Sequence, residues 1–214
     1  MRNSVLIVLL GVASLISLPS RAEPIGAAVS VERDVTHEYG KATAKLVEGD
    51  KLNQEEFIVT RIASSTKLRF LDETQLIVGP TSRVKLDRFV YNPDNTGVAL
   101  GIEFLRGGFR FVTGKSDHKA YLLKTPQATI AVRGTIIGIF VSNGKTIVKL
   151  KEGGATVCMR NKGAPRCSEM EELETTVEVT AKNISEAGLR RSRGPDFSIW
   201  CSARQANCGL TPPK

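Results

Sequence analysis

The stretch "TPQATIAVRGTIIGIFVSNGKT", residues 125–146, decides how the chain is read. A nearly continuous apolar run carries Arg133 and then Gly134 in its middle. A buried guanidinium is costly without a partner, and glycine weakens a strand unless the backbone needs it. Ahead of this pair, alternation places Ile130 and Val132 on one face and Ala131 and Arg133 on the other. From Ile136 onward both faces are apolar, as in a strand covered on both sides. The stretch therefore reads as a strand passing from half-covered to covered at Arg133, with Gly134 allowing a bulge or close backbone approach. Arg133 is expected to be structural. Its five donors suit loop carbonyls or a carboxylate such as Glu152 or Asp72.

The same period of two extends outward from this stretch. Leu68 and Phe70 alternate with Lys67 and Arg69, Val84 and Leu86 with Arg83, Lys85 and Asp87, and Val148 and Leu150 with Lys149 and Lys151. Apolar runs such as "EFIVTRI", "TQLIVGP", "GIEFLRG", "GFRFVTG", "TIAVRG", "TIIGIFVS", "TIVKLKEG" and "ATVCMR" are separated by Gly, Pro, Asn or Asp. "RGG" at 106–108 and "SNGKT" at 142–146 read as turns, and Asn143-Gly144 is a strong hairpin dipeptide. The expectation is an all-β domain, a compact sandwich or roll of many short strands, with a solenoid-like winding left open. One weak helical candidate lies at 181–191.

Residues 1–22 read as a secretory signal peptide: Arg2, an apolar run from Val5 to Leu18, then Ser20 and Ala22 before the expected cleavage. The expected divisions are this leader, a β domain at 23–180 with its core at about 49–157, and a basic irregular tail at 181–214. The whole chain of 214 residues carries a net charge of +8, and loss of Arg2 and Arg21 with the leader leaves +6. Periplasmic or secreted location is expected, with no stable membrane span after cleavage. The basic balance favours anionic neighbours, and the scarcity of aromatics among the basic residues argues against nucleic acid.

Four cysteines in an exported chain suggest two disulfides, and near neighbours are the economical choice: Cys158 with Cys167, and Cys201 with Cys208. Their spacing does not suit zinc, and His37 and His118 stand far from them. Both histidines are expected in exposed loops. No G-x-S-x-G elbow, phosphate loop, H-E-x-x-H or C-x-x-C occurs, so no enzyme, cofactor or metal is expected. The "YNPDNTG" loop at 91–97 and the tail arginines are the candidate contact surfaces.

"LKTPQATIAVRGT", an apolar strand and then "SNGKTIVKLKEGGATV" resemble the core of the FecR domain family. "LRFLDETQLIVGPTSRVKLDRF" and "FLRGGFRFV" fit the same pattern upstream. The motif positions are Gly79, Pro80, Thr125, Pro126, Val132, Arg133, Gly134 and Thr135. The resemblance implies a non-catalytic, all-β, extracytoplasmic domain. In the family's iron regulators this domain receives a signal from an outer-membrane receptor and passes it inward to a sigma factor. Those regulators carry a cytoplasmic segment and a transmembrane helix ahead of the domain. A signal peptide in that place fits the stand-alone exported members better. The expected role is a protein-interaction or signal-sensing module binding another envelope protein. The alternatives are a binder of anionic envelope polymers or membrane surface, and a part of an iron-responsive surface-signalling system.

Overall fold

A computed structural model describes residues 23–90, 99–115, 121–160 and 164–189. The leader, the 91–97 loop, His118, the tail from 190 and the expected Cys201–Cys208 pair lie outside the described residues. Fourteen strands make up the described chain: β1 (Gly26–Glu32), β2 (Val35–Tyr39), β3 (Ala42–Lys45), β4 (Lys51–Leu52), β5 (Glu56–Thr60), β6 (Ser65–Phe70), β7 (Gln75–Val78), β8 (Arg83–Val90), β9 (Ala99–Val112), β10 (Tyr121–Lys124), β11 (Ala128–Ser142), β12 (Lys145–Met159), β13 (Cys167–Met170) and β14 (Thr176–Thr180). No helix occurs among the described residues, so the fold is all-β, as the alternation requires.

Continuous hydrogen bonding joins all fourteen strands, and only β9 with β10 run parallel. Three long strands organise the rest by changing neighbours halfway. The first part of β9 pairs with β8 and β10, and its second part with β7 and β11. The first part of β11 pairs with β10, and its second part with β9. β12 meets β14 near its start and β13 near its end. Gly107, Gly134 and Gly153, at φ 105°, 57° and 76°, lie at the changeovers. Such positive φ values suit glycine, which has no Cβ to clash. "RGG" is therefore a corner inside a strand and not a turn between two. Likewise "TIAVRG" and "TIIGIFVS" form one strand, as do "TIVKLKEG" and "ATVCMR".

The sheet folds over one hydrophobic cluster at these corners. Phe104, Phe109 and Phe111 are fully buried within it. The Phe104 and Phe109 rings meet across the β9 corner at 4.7 Å, and Phe111 meets Tyr121 of β10 edge-on at 5.6 Å. Buried polar groups also tie β10 to the turn before β7. Asp72 accepts from the Thr74 amide at 3.0 Å, the Thr74 hydroxyl at 2.8 Å and the Tyr121 hydroxyl at 2.9 Å. The Gly114 amide donates to the Thr74 and Tyr121 oxygens, at 3.1 Å each.

The N-terminal strands β1–β4 carry little of the apolar alternation that marks later strands. β3 is exposed throughout, and β1 is mostly half-buried. His37 is not in a loop. It lies half-buried on β2, and its Nδ1 stands 2.5 Å from Oε1 of the fully buried Glu56, whose other oxygen accepts the Asn53 amide at 2.7 Å. β2 extends the sheet beside β5, and that pairing carries the histidine into the carboxylate's reach. The 181–191 helical candidate is absent over its described part. Isolated bridges join Val179 to Ile184 and Thr176 to Gly188 there, because the chain folds back to cap β14. The Cys158–Cys167 disulfide forms as expected, linking directly opposed residues of β12 and β13 with an S–S distance of 2.06 Å.

Candidate functional site

The signature residues of the opening stretch turn out to be fasteners of the corners. Thr125 is buried. Its hydroxyl accepts the Ala128 amide at 2.8 Å and lies 2.8 Å from the Thr146 hydroxyl, while its carbonyl accepts Arg160 Nη1 at 2.9 Å. Pro126 follows in the exposed bend of this turn. Val132 belongs to the core. At the β11 corner two residues oppose one on β12, and Thr135 satisfies the backbone groups this bulge frees. Its hydroxyl accepts the Arg133 amide at 2.9 Å and donates to the Gly154 carbonyl at 2.7 Å, and its own amide donates to Thr113 Oγ1 at 2.9 Å.

Arg133 projects outward, with 53% of its side chain exposed. Its Nη2 lies 3.4 Å from Glu169 and 3.7 Å from Glu171. Of the two expected kinds of partner, loop carbonyl or carboxylate, it is carboxylates that lie beside it, but Glu152 and Asp72 are not the ones. Glu152 lies beyond the bulge, opposite Ile136, and Asp72 is buried with Thr74 and Tyr121. Exposed pairs of this kind contribute under about 1 kcal/mol. Arg133→Lys is therefore expected to change stability by no more than about 0.5 kcal/mol, as read by urea denaturation.

Gly79 and Pro80 lead to a different place. The turns β1–β2, β5–β6 and β7–β8 gather there beside the β9 corner. Thr60 Oγ1 donates to the Gly79 carbonyl at 2.6 Å and accepts the Ser82 amide at 2.9 Å. Ser82 Oγ accepts the Gly108 amide at 3.1 Å, and the Gly79 amide donates to the Gly108 carbonyl at 2.9 Å. The Arg61 amide donates to the Asp34 carbonyl, and the Thr81 amide to the Arg61 carbonyl, at 3.1 Å each. Thr60, Ser64 and Ser82 are buried hydroxyls beneath these turns. The loops are thus fixed by their own hydrogen bonds.

Above them lie two cavities, of about 470 Å³ and 400 Å³. Arg33, Arg61, Val59 and Ile62 line the first, Phe140, Val141 and Asn143 the second, and Thr81 with Arg106 line both. Together they form one trough. Ile62 at its rim is 83% exposed. Arg33, Ala63 and Thr81 hold φ of 63°, 54° and 54°, which non-glycine residues rarely adopt. Glu55, Glu73 and Glu174 hold similar values elsewhere in the chain. Thr81 is β-branched and exposed, so Thr81→Asn is expected to raise stability by about 0.5–1 kcal/mol, checked by thermal melting.

Three arginines gather in the lining of this trough. Elsewhere many cations are paired: Arg83 with Glu38 at 2.8 Å, Lys85 with Glu55 at 2.5 Å, and Lys149 and Lys151 with Glu174 at 2.7 and 2.6 Å. Hydrogen bonds from Lys149 and then Lys151 hold the Glu174 carboxyl below its ordinary range. Arg33, Arg61 and Arg106 are exposed, and their guanidinium groups have no hydrogen-bond or ion-pair partner among the described residues. Sequence reasoning found Gly79-Pro80 but missed the three arginines, which lie far apart in the chain with no shared motif. No group of residues that could hold a metal is present among the described residues.

A folded-over all-β domain with corner glycines and a rigid loop trough is the class that geometry defines. The FecR protein family model matches residues 56–156, so the chain carries a FecR domain there. No curated protein matches the chain. Two crystal structures of a provisionally assigned anti-sigma factor from Parabacteroides distasonis are similar, each with a TM-score of 0.46, at 17% and 16% identity. Each match covers 60% of this chain and 57% of the other, so this chain spans little more than half the length of that protein.

Proposed function

We propose that this protein is a non-catalytic interaction module of the cell envelope, exported to the periplasm or beyond, which docks another envelope protein and so senses or relays a signal. The observation that carries the reading is the trough: a concave surface on rigid, mutually hydrogen-bonded loops, with strained backbone at Arg33 and Thr81. Its lining combines Arg, Asp, Thr, Ser, Asn, Val, Ile and Phe side chains, a mixed polar and apolar surface suited to protein contact. A photo-crosslinking amino acid at position 62, 81 or 143 in the exporting cell tests it. A discrete cross-linked protein is expected from at least one position, and none from position 47 on the exposed β3–β4 turn. Absence of a discrete product from all three positions would overturn the reading.

A second reading, attachment to anionic envelope polymers, has its own observation. Lys67 and Arg110 both align with Ile77 across β6, β7 and β9, so they share one sheet face, and Arg69 follows two residues after Lys67. No acidic partner pairs with these three among the described residues. The Lys67 pKa is lowered by burial and by Arg69, as befits a crowded cationic face. Salt-sensitive sedimentation with purified cell-wall sacculi, lost on charge reversal at Lys67 and Arg69, is the expected result. Salt-insensitive sedimentation would exclude it.

A further inference from the structure

We infer that the trough takes an extended, acidic segment of a partner protein, with its carboxylates held by Arg33, Arg61 and Arg106 and an apolar side chain seated against Ile62. This rests on the interaction reading above and names the chemistry of the occupant. Three observations converge. The first is charge: three arginines line one cavity, Asp34 is the only acid in the lining, and none of the three is paired among the described residues. Arginine presents a planar fork that grips a carboxylate through two parallel hydrogen bonds.

The second is preorganisation. The backbone under each arginine is anchored while its tip is free. Arg61 is fixed through its amide and its carbonyl, Arg106 lies opposite Arg83 in the sheet, and Arg33 occupies a left-handed turn position beside Asp34, whose amide donates to Ser64 Oγ at 3.1 Å. A partner's carboxylates therefore meet cations whose bases need no rearrangement.

The third is shape. Thr81 and Arg106 line both cavities, so the cleft runs from Arg33 and Arg61 past Arg106 to Phe140 and Asn143. A single small anion would fill one cavity and leave the other empty. An extended chain reaches both, and its alternating side chains can place acids against the arginines and an apolar group against Val59 and Ile62.

The test is selection of a random twelve-residue peptide display library on the full chain. Titration of the enriched peptides follows, against wild type and against Arg33→Gln/Arg61→Gln/Arg106→Gln. The three side chains are exposed, so the variant is expected to keep the wild-type melting temperature. A second variant, Arg106→Glu alone, reverses charge at the shared point of the trough. Enriched peptides are expected to combine Asp or Glu with a large apolar residue. They should bind at least about a hundredfold more weakly to the triple variant, and lose affinity between about 50 and 300 mM salt, the range over which screening acts. Neutral or basic enriched peptides, absence of enrichment, or equal binding by the triple variant would each overturn the inference. Preference for inorganic polyphosphate over every selected peptide would overturn it too, in favour of an anion site. Cross-linking from position 62 in the triple variant separates the two readings. An unchanged cross-linked partner keeps the interaction module and removes the arginine mechanism, whereas loss of that partner supports both.

Discussion

Gly107→Ala is expected to lower stability by about 3–5 kcal/mol, near the upper end of what single substitutions do. Two costs add. The residue holds φ of 105°, where any Cβ is strained. The space is also filled: a Cβ there would overlap Ser82 Oγ and stand 2.5 Å from the Ser82 Cα. Ser82 cannot easily yield. Its hydroxyl accepts the Gly108 amide, its amide donates to Thr60 Oγ1, and it closes the turn that carries Gly79 and Pro80. The expected loss therefore includes both the β9 corner and the packing of the trough, and the enriched peptides should bind more weakly as well. Equilibrium urea denaturation checks it. A loss below about 1 kcal/mol would show that the corner tolerates a side chain, and that the bend is not set by glycine. Gly144→Ala is the control: it also has positive φ, at 71°, but nothing lies within 4 Å of its Cβ position, so only the backbone strain of about 1 kcal/mol is expected.

Asp72→Ala is expected to cost about 3–5 kcal/mol, because it strands buried donors. The carboxylate is 1% exposed and takes the Thr74 amide, the Thr74 hydroxyl and the Tyr121 hydroxyl. Those same hydroxyls accept the Gly114 amide, so removal of the acid leaves a chain of polar groups without its terminal acceptor. Asp72→Asn keeps one accepting oxygen and should cost about 1–2 kcal/mol. The order Ala worse than Asn distinguishes loss of acceptors from loss of packing. Equal costs for the two would mean that the network does not carry the stability. Tyr121 lies on β10 and Thr74 leads into β7, so this cluster joins the strands that flank the two halves of β9.

The corner at Arg133-Gly134 shows how far the sequence could be read. Alternation before it and apolar faces on both sides after it predicted a change of cover, and the structure places the bulge there. The Asn143-Gly144 hairpin and the Cys158–Cys167 bridge were legible for the same reason: each rests on residues close in sequence. The continuity of β9 and β12 through their glycines was not legible. A glycine pair between two apolar runs marks a turn and a strand corner with the same letters, and only pairing on both sides tells them apart. The strands β1–β4 were missed because Ala, Ser, Thr and Lys bring little apolar contrast, and their place is set by the edges they extend.

Local chemistry along the chain was enough to determine the all-β class, the turn at Asn143-Gly144 and the need for glycine at the β11 corner, since each depends on side-chain alternation or on φ preferences of a few residues. The trough was decided by tertiary structure alone. Arg33 and Arg61 belong to separate turns and Arg106 to the β9 corner, and they converge only because β5 pairs with both β2 and β8 while β9 bends beside Ser82. Hydrogen-bond register acts between strands distant in sequence, so no window of residues contains it.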